Sequence, residues 1–301
     1  MTAATTSEVS APQTSRPKEH IPLGILHMVG ATIVFAASSA CSKWLVATYP
    51  AGEVLFTRSL VSLVTLAAFI LPTTGLAVFR TNRLSHHVAR SFSQFISQTC
   101  LILAFSLMPL AGAIAINFSA PLFATLVSIV ILKEKVGLAR WTALLVGFIG
   151  VLIVTNPGAE AFQIGALFAL TNAVLYGTVT AAVRGMTATE SAATLTLYQL
   201  VLITGFFAMI VPFGFIMPTW DAWGLIIFNG VANAVGQYWW TKSLHLGPAS
   251  AVAPFFYLSL VWAVLIGFVV WGDVPTIGLL IGSAIVVASG LFLLWREARR
   301  R

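Results

Sequence analysis

Gln94 and Gln98 lie four residues apart, and so do Asn233 and Gln237, so each pair forms one polar stripe on a helix that is otherwise apolar. A carboxamide both donates and accepts, so such stripes can bind a polar ligand without adding charge. Lys43 and Arg58 are the basic residues that fall inside apolar runs away from their ends. A cation there asks for compensation, either from a ligand carboxylate in a water-filled cavity or by snorkelling to headgroups and pairing with Glu53. Trp240, seven residues after Asn233, shares its face, and Asn117, Tyr176 and Tyr257 extend the candidate binding set to further helices. For the amides the competing reading is glue between helices, with Gln94 the stronger case. For the aromatics it is packing or an interfacial belt. This is the chemistry of recognition. No Ser/His/Asp set, paired acid, metal-ligand cluster or phosphate loop is present, so neither an enzyme nor a metal or cofactor is expected.

The elements that must hold these residues are apolar helices. Of 301 residues 58% are hydrophobic and only 8% charged, with a mean hydropathy of +0.95, which excludes an ordinary soluble domain. The formal charge of +7 has no basic stripe interleaved with aromatics, so no nucleic acid partner is expected. Cys41 and Cys100 lie within apolar runs and read as packing residues. Residues 1–20 form a polar tail, expected to be disordered, and 297–301 a basic one. Runs long enough to cross ~30 Å of hydrocarbon fall near 22–47, 52–72, 88–108, 111–132, 138–155, 164–184, 192–216, 222–244, 249–271 and 275–295. The expected fold is thus an all-α polytopic membrane protein of ten transmembrane helices.

The chain repeats itself. At an offset of 139, Gln94 falls on Asn233, Gln98 on Gln237, Leu107 on Leu246, Pro109 on Pro248 and Glu134 on Asp273. Nearer the N-terminus the offset is 141, pairing Gly24 with Gly165, Phe35 with Tyr176, Lys43 with Arg184 and Arg58 with Gln199. This gives two five-helix units, 21–158 and 159–296. If the N-terminal tail is cytoplasmic, the loops on that side carry the Lys and Arg residues, and the other side holds Glu53, Glu160, Asp221 and Asp273. Both termini are then cytoplasmic. Because five is odd, the repeats are inverted, the pattern of secondary transporters with alternating access at a central cavity. Pro109 and Pro248 at matched junctions, with the intrahelical Pro121 and Pro254, are the expected hinges. Gly278 and Gly282 form a GxxxG for close packing, either inside the bundle or against a second protomer, so monomer and homodimer both stay open.

The stretch from Ala120 to Lys135 (APLFATLVSIVILKEK), its echo from Leu260 to Asp273 (LVWAVLIGFVVWGD) and the closing GSAIVVASGLFLL resemble the EamA family of the drug/metabolite transporter superfamily. Leu260 departs from the pattern, standing where the first half has Pro121. Within that family the resemblance is to bacterial inner-membrane exporters of amino acids and metabolites, the aromatic amino acid type included. It implies a bilayer-embedded carrier with a small-molecule partner. Neutral and aromatic amino acids are the expected cargo. No carboxylate lies mid-membrane, which disfavours a broad exporter of lipophilic cations and makes gradient-driven flux the expectation. A membrane receptor or assembly subunit would not need an inverted duplication.

Reporter fusions after Asn156 and after Asp273 are expected to read periplasmic. A cytoplasmic reading at either position would break the helix count.

Overall fold

In hydrocarbon each backbone N–H and C=O must bond within the chain, so long apolar runs become helices. The computed structural model describes residues 20–120, 122–123, 138–155, 160–186, 189–246 and 252–298. Among these stand ten α-helices: α1 (Ile21–Val46), α2 (Ala51–Thr74), α3 (Leu84–Leu107), α4 (Leu110–Asn117), α5 (Leu138–Thr155), α6 (Glu160–Met186), α7 (Ala192–Ala208), α8 (Trp220–Leu246), α9 (Leu258–Trp271) and α10 (Ile277–Ala298). Pro121, Pro248 and Glu134 lie outside the described residues. Among the described residues three segments combine the length and hydropathy to cross a membrane unaided, Ile21–Val46, Ala51–Phe79 and Ala192–Phe213. Helices α3 and α8 carry the amides and are less apolar, as helices facing a polar core must be.

Large apolar side chains cover the outside of the bundle. Phe213 and Trp220 are 89% and 92% exposed, and Phe69, Val64, Leu145, Leu167 and Val269 are also bare to the surroundings. A soluble fold does not leave this much apolar surface open, whereas lipid solvates it.

Helices approach closely where glycine removes the side chain. Along the α1–α8 contact, a Cβ on Gly30 would sit 2.8 Å from the Trp239 ring, and one on Gly236 2.9 Å from the Phe35 ring. On α2 and α8, Gly230 faces Val61, and Ser62 donates to the Gly230 carbonyl at 2.8 Å. Helix α1 packs along α8, α3 along α6, α2 against α7 and α8, and α5 against α10.

Two helices are irregular. Helix α4 stops at Asn117 and turns at Phe118 and Ser119. The run expected as one helix from 249 is interrupted by a 3-10 turn, Ala253–Tyr257, with Pro254 in its opening positions, ahead of the α-helix that begins at Leu258. Proline cannot donate a backbone bond, which favours the tighter turn there. Pro109 caps the start of α4 after an extended Met108, so the junction it was expected to mark is a true break.

The GxxxG of α10 is used inside the chain. A Cβ at Gly282 would lie 2.7 Å from the Gly150 carbonyl oxygen and 2.8 Å from the Val154 nitrogen, both backbone atoms of α5. At Gly278 the nearest backbone atom is 3.5 Å away. Gly282→Ala is therefore expected to destabilise by about 1–3 kcal/mol through overpacking, and Gly278→Ala to be near neutral. Thermal unfolding in detergent compares them, and equal midpoints would contradict the crossing.

Candidate binding site in the bundle core

Arg58 stands in the second turn of α2 with its head directed into the bundle and is only 8% exposed. Its Nη1 donates to Ser42 Oγ of α1 at 3.4 Å, and its Nη2 makes a short bond to Gln98 Oε1 of α3. Ser42 also accepts from Asn229 Nδ2 of α8 at 3.0 Å, and Asn229 Oδ1 accepts from Ser38 Oγ at 2.6 Å. Ser38 and Ser42 are one turn apart on α1, so a single amide of α8 engages both. A turn further along α8, Asn233 Nδ2 donates to Ser62 Oγ at 3.0 Å.

Beside Gln98, Ser97 faces the other way. Its hydroxyl donates to Asn172 Oδ1 of α6 at 2.7 Å, and Asn172 Nδ2 donates to Asn117 Oδ1 at 2.7 Å, at the point where α4 breaks. The neighbours Ser97 and Gln98 thus join two networks into one polar belt across α1, α2, α3, α4, α6 and α8. Here its side chains bond one another.

Of the residues singled out in the sequence, Arg58, Gln98, Asn117 and Asn233 meet in this belt. Lys43 does not. Its Nζ donates to the Phe105 and Met108 carbonyls at 3.2 and 2.8 Å and lies 5.4 Å from the centre of the Trp271 ring. It neutralises the carbonyl end of α3, where a helix favours a cation. Glu53 pairs with neither cation; Oε2 accepts from the Ile216 N–H at 2.9 Å, and the residue is 1% exposed. Gln94 is buried with Oε1 unpartnered. Gln237, Trp240 and Tyr176 are half-buried, and their side chains make no hydrogen bond among the described residues. Tyr257 lies edge-on to Phe118 with ring centres 4.9 Å apart, its hydroxyl unpartnered against Gly290.

Sequence reading missed Asn229, Asn172, Ser38, Ser42, Ser62 and Ser97. Asn229 extends the Asn233–Gln237 stripe by one turn, a signal that was present. Serines in apolar runs carry no such mark, because most bond their own helix, as Ser59 does to Phe56.

An apolar exterior around a hydrogen-bonded polar belt is the arrangement of a polytopic membrane protein. The EamA-like transporter family matches residues 22–156 and again 163–295, and the chain belongs to it, a membrane transporter. It is 32% identical to a riboflavin transporter of Vibrio cholerae over 94% of this chain and 96% of that one, and 30% identical to a riboflavin transporter of Rhizobium johnstonii over 92% and 93%. It is 24% identical to an S-adenosylmethionine uptake transporter of Rickettsia bellii over 92% and 95%. A crystal structure of a protein at 18% identity aligns over 91% of this chain and 98% of its own with a TM-score of 0.63, a likeness of fold.

The belt predicts an order of effects. Asn229→Ala strips partners from both Ser38 and Ser42 and is expected to cost about 1–3 kcal/mol, whereas after Asn233→Ala the Ser62 hydroxyl keeps its carbonyl acceptors and the cost is about 1 kcal/mol or less. Chemical or thermal unfolding of the two purified variants reads the difference, and the reverse order would contradict the network.

Proposed function

We propose that this protein is a secondary transporter of a neutral, planar heteroaromatic metabolite of the riboflavin class, bound at the polar belt and exposed alternately to the two sides of a bacterial inner membrane. The observation that carries this reading is the belt's makeup: amides and hydroxyls from six helices converge around Gln98 and Asn233, with the half-buried Gln237, Trp240 and Tyr176 among the candidates. Riboflavin has an imide edge that needs paired donors and acceptors, a ring system that stacks on aromatic side chains, and a polyhydroxyl chain that matches serines and asparagines. The two relatives named as riboflavin transporters at 30% identity or above support that class over neutral amino acids.

The two-sided mechanism rests on the inverted five-helix repeats, bounded near 21–158 and 159–296, with both termini cytoplasmic. Three observations support it. The family matches twice, in two successive stretches. Exchanging each helix for the one five places along turns the α1–α8 contact into the α6–α3 contact. At the offset of 139, Asn117, where α4 breaks, falls on Phe256 inside the 3-10 turn before α9. Irregular backbone at matched positions inside the membrane is how such carriers build their sites.

Flux into liposomes tests the cargo. Labelled riboflavin is expected to enter proteoliposomes faster than empty vesicles and to be competed by unlabelled riboflavin, while labelled phenylalanine stays at the empty-vesicle rate. Riboflavin entering no faster than into empty vesicles would end this reading, and phenylalanine flux alone would favour an amino acid carrier.

A further inference from the structure

Buried polar groups are nearly always bonded, so a concentration of orphans needs a cause. Eight buried side-chain atoms among the described residues lack a partner, and five of them lie within three turns of α3: His87 Nδ1 and Nε2, Arg90 Nε, Ser91 Oγ and Gln94 Oε1. The spacing 87, 90, 91, 94 puts all four residues on one helical face, and each is at most 6% exposed. Arg90 Nη1 donates to Gln199 Oε1 at 3.3 Å and Nη2 to the Leu195 carbonyl at 2.8 Å, so α7 holds the guanidinium with neutral acceptors only. No carboxylate pairs with it among the described residues. Glu190, the acid at the rim, accepts from Thr81 at 2.6 Å. Tyr198 stacks on His87 at 4.5 Å and donates its hydroxyl to the Phe79 carbonyl, and His86 is exposed beyond the buried face.

We propose that this α3–α7 seam is an anion-binding site, with Arg90 supplying the charge, Ser91 and His87 donating to the anion, and Gln94 and Gln199 framing it. A buried cation without a counter-charge is among the costliest arrangements in a protein, and here it coincides with spare donors beside it. Water could satisfy the donors but not the charge. A metal is not the occupant, since no three His, Cys, Asp or Glu residues cluster among the described residues. The ligand is a small anion or an anionic group of a larger cargo. The stripe continues along α3 from Gln94 to Gln98, so the site adjoins the belt, yet the proposal stands whether or not riboflavin is the cargo.

Thermal unfolding of the purified protein in detergent tests it without any flux measurement. Chloride, acetate and inorganic phosphate are titrated as sodium salts against gluconate, a bulkier anion, at constant ionic strength. At least one small anion is expected to raise the midpoint saturably, by about 4–8 °C. Arg90→Gln is expected to abolish the shift, Ser91→Ala to weaken the apparent affinity several-fold, and Arg80→Gln, on an exposed residue, to leave it unchanged. Riboflavin 5′-phosphate is the arm for an anionic group on the cargo: a shift with it alone, lost in Arg90→Gln, assigns the site to the cargo and not to a free ion. A wild-type midpoint indifferent to every anion, or a shift that survives Arg90→Gln, overturns the proposal. Should Arg90→Gln fail to fold, the wild-type titration and Ser91→Ala still decide it. An anion shift without riboflavin flux would leave this site standing and remove the cargo assigned above.

Discussion

A guanidinium placed inside an apolar bundle has to be answered from several directions at once, and the answer given to Arg58 fixes much of the surrounding architecture. Its two terminal nitrogens need acceptors on different helices, so α1 brings Ser42 and α3 brings Gln98. Ser42 in turn draws Asn229 from α8. No carboxylate is involved. An acid would have neutralised the charge more fully; here the charge stays in the belt, held by neutral partners. Satisfying the cation with dipoles leaves the core polar, rigid and able to exchange one neutral acceptor for another.

How much of this could be read from the chain depends on the range of the interaction. The helices, the duplicated landmarks and the amide stripes are local or periodic, and they stand in the sequence as written. Gln98 and Asn233 were legible because an amide in an apolar run has few other uses. The pairing of Ser38 with Asn229 spans 191 positions, and nothing local distinguishes that serine from one bonded to its own turn. Lys43 illustrates the opposite difficulty. Its type and depth suggested a ligand contact, yet the carbonyl end of α3 consumes it, and only the break at Met108 and Pro109 creates that demand. Likewise GxxxG announces close packing, but the partner, Gly150, is a feature of α5 and of the crossing.

The two irregular segments meet. Phe118, just past the end of α4, packs on Phe256 and Tyr257 of the 3-10 turn, with ring centres 6.0 and 4.9 Å away. Broken backbone inside a membrane leaves carbonyls and N–H groups to satisfy, and burying both breaks against each other shields them from lipid. Gly290 lets this happen, since a Cβ there would fall within 1.9 Å of the Tyr257 hydroxyl. The contact between the two breaks is thus aromatic, with the Asn117–Asn172 amide pair beside it.

The Lys43 contact also has a mechanical meaning. By gripping the Phe105 and Met108 carbonyls it ties one end of α3 to α1, while near the other end the Arg90 guanidinium is bonded to two neutral acceptors of α7. Helix α3 is thus a strut fastened to a different helix at each end. At a rise of about 1.5 Å per residue the two fastenings lie about 25 Å apart, so a tilt of about 10° about the Lys43 contact carries the Arg90 end through about 4 Å while scarcely moving the turn at Met108. A displacement of that size exceeds the reach of a hydrogen bond, so the Arg90 contacts have to break before the helix can tilt that far.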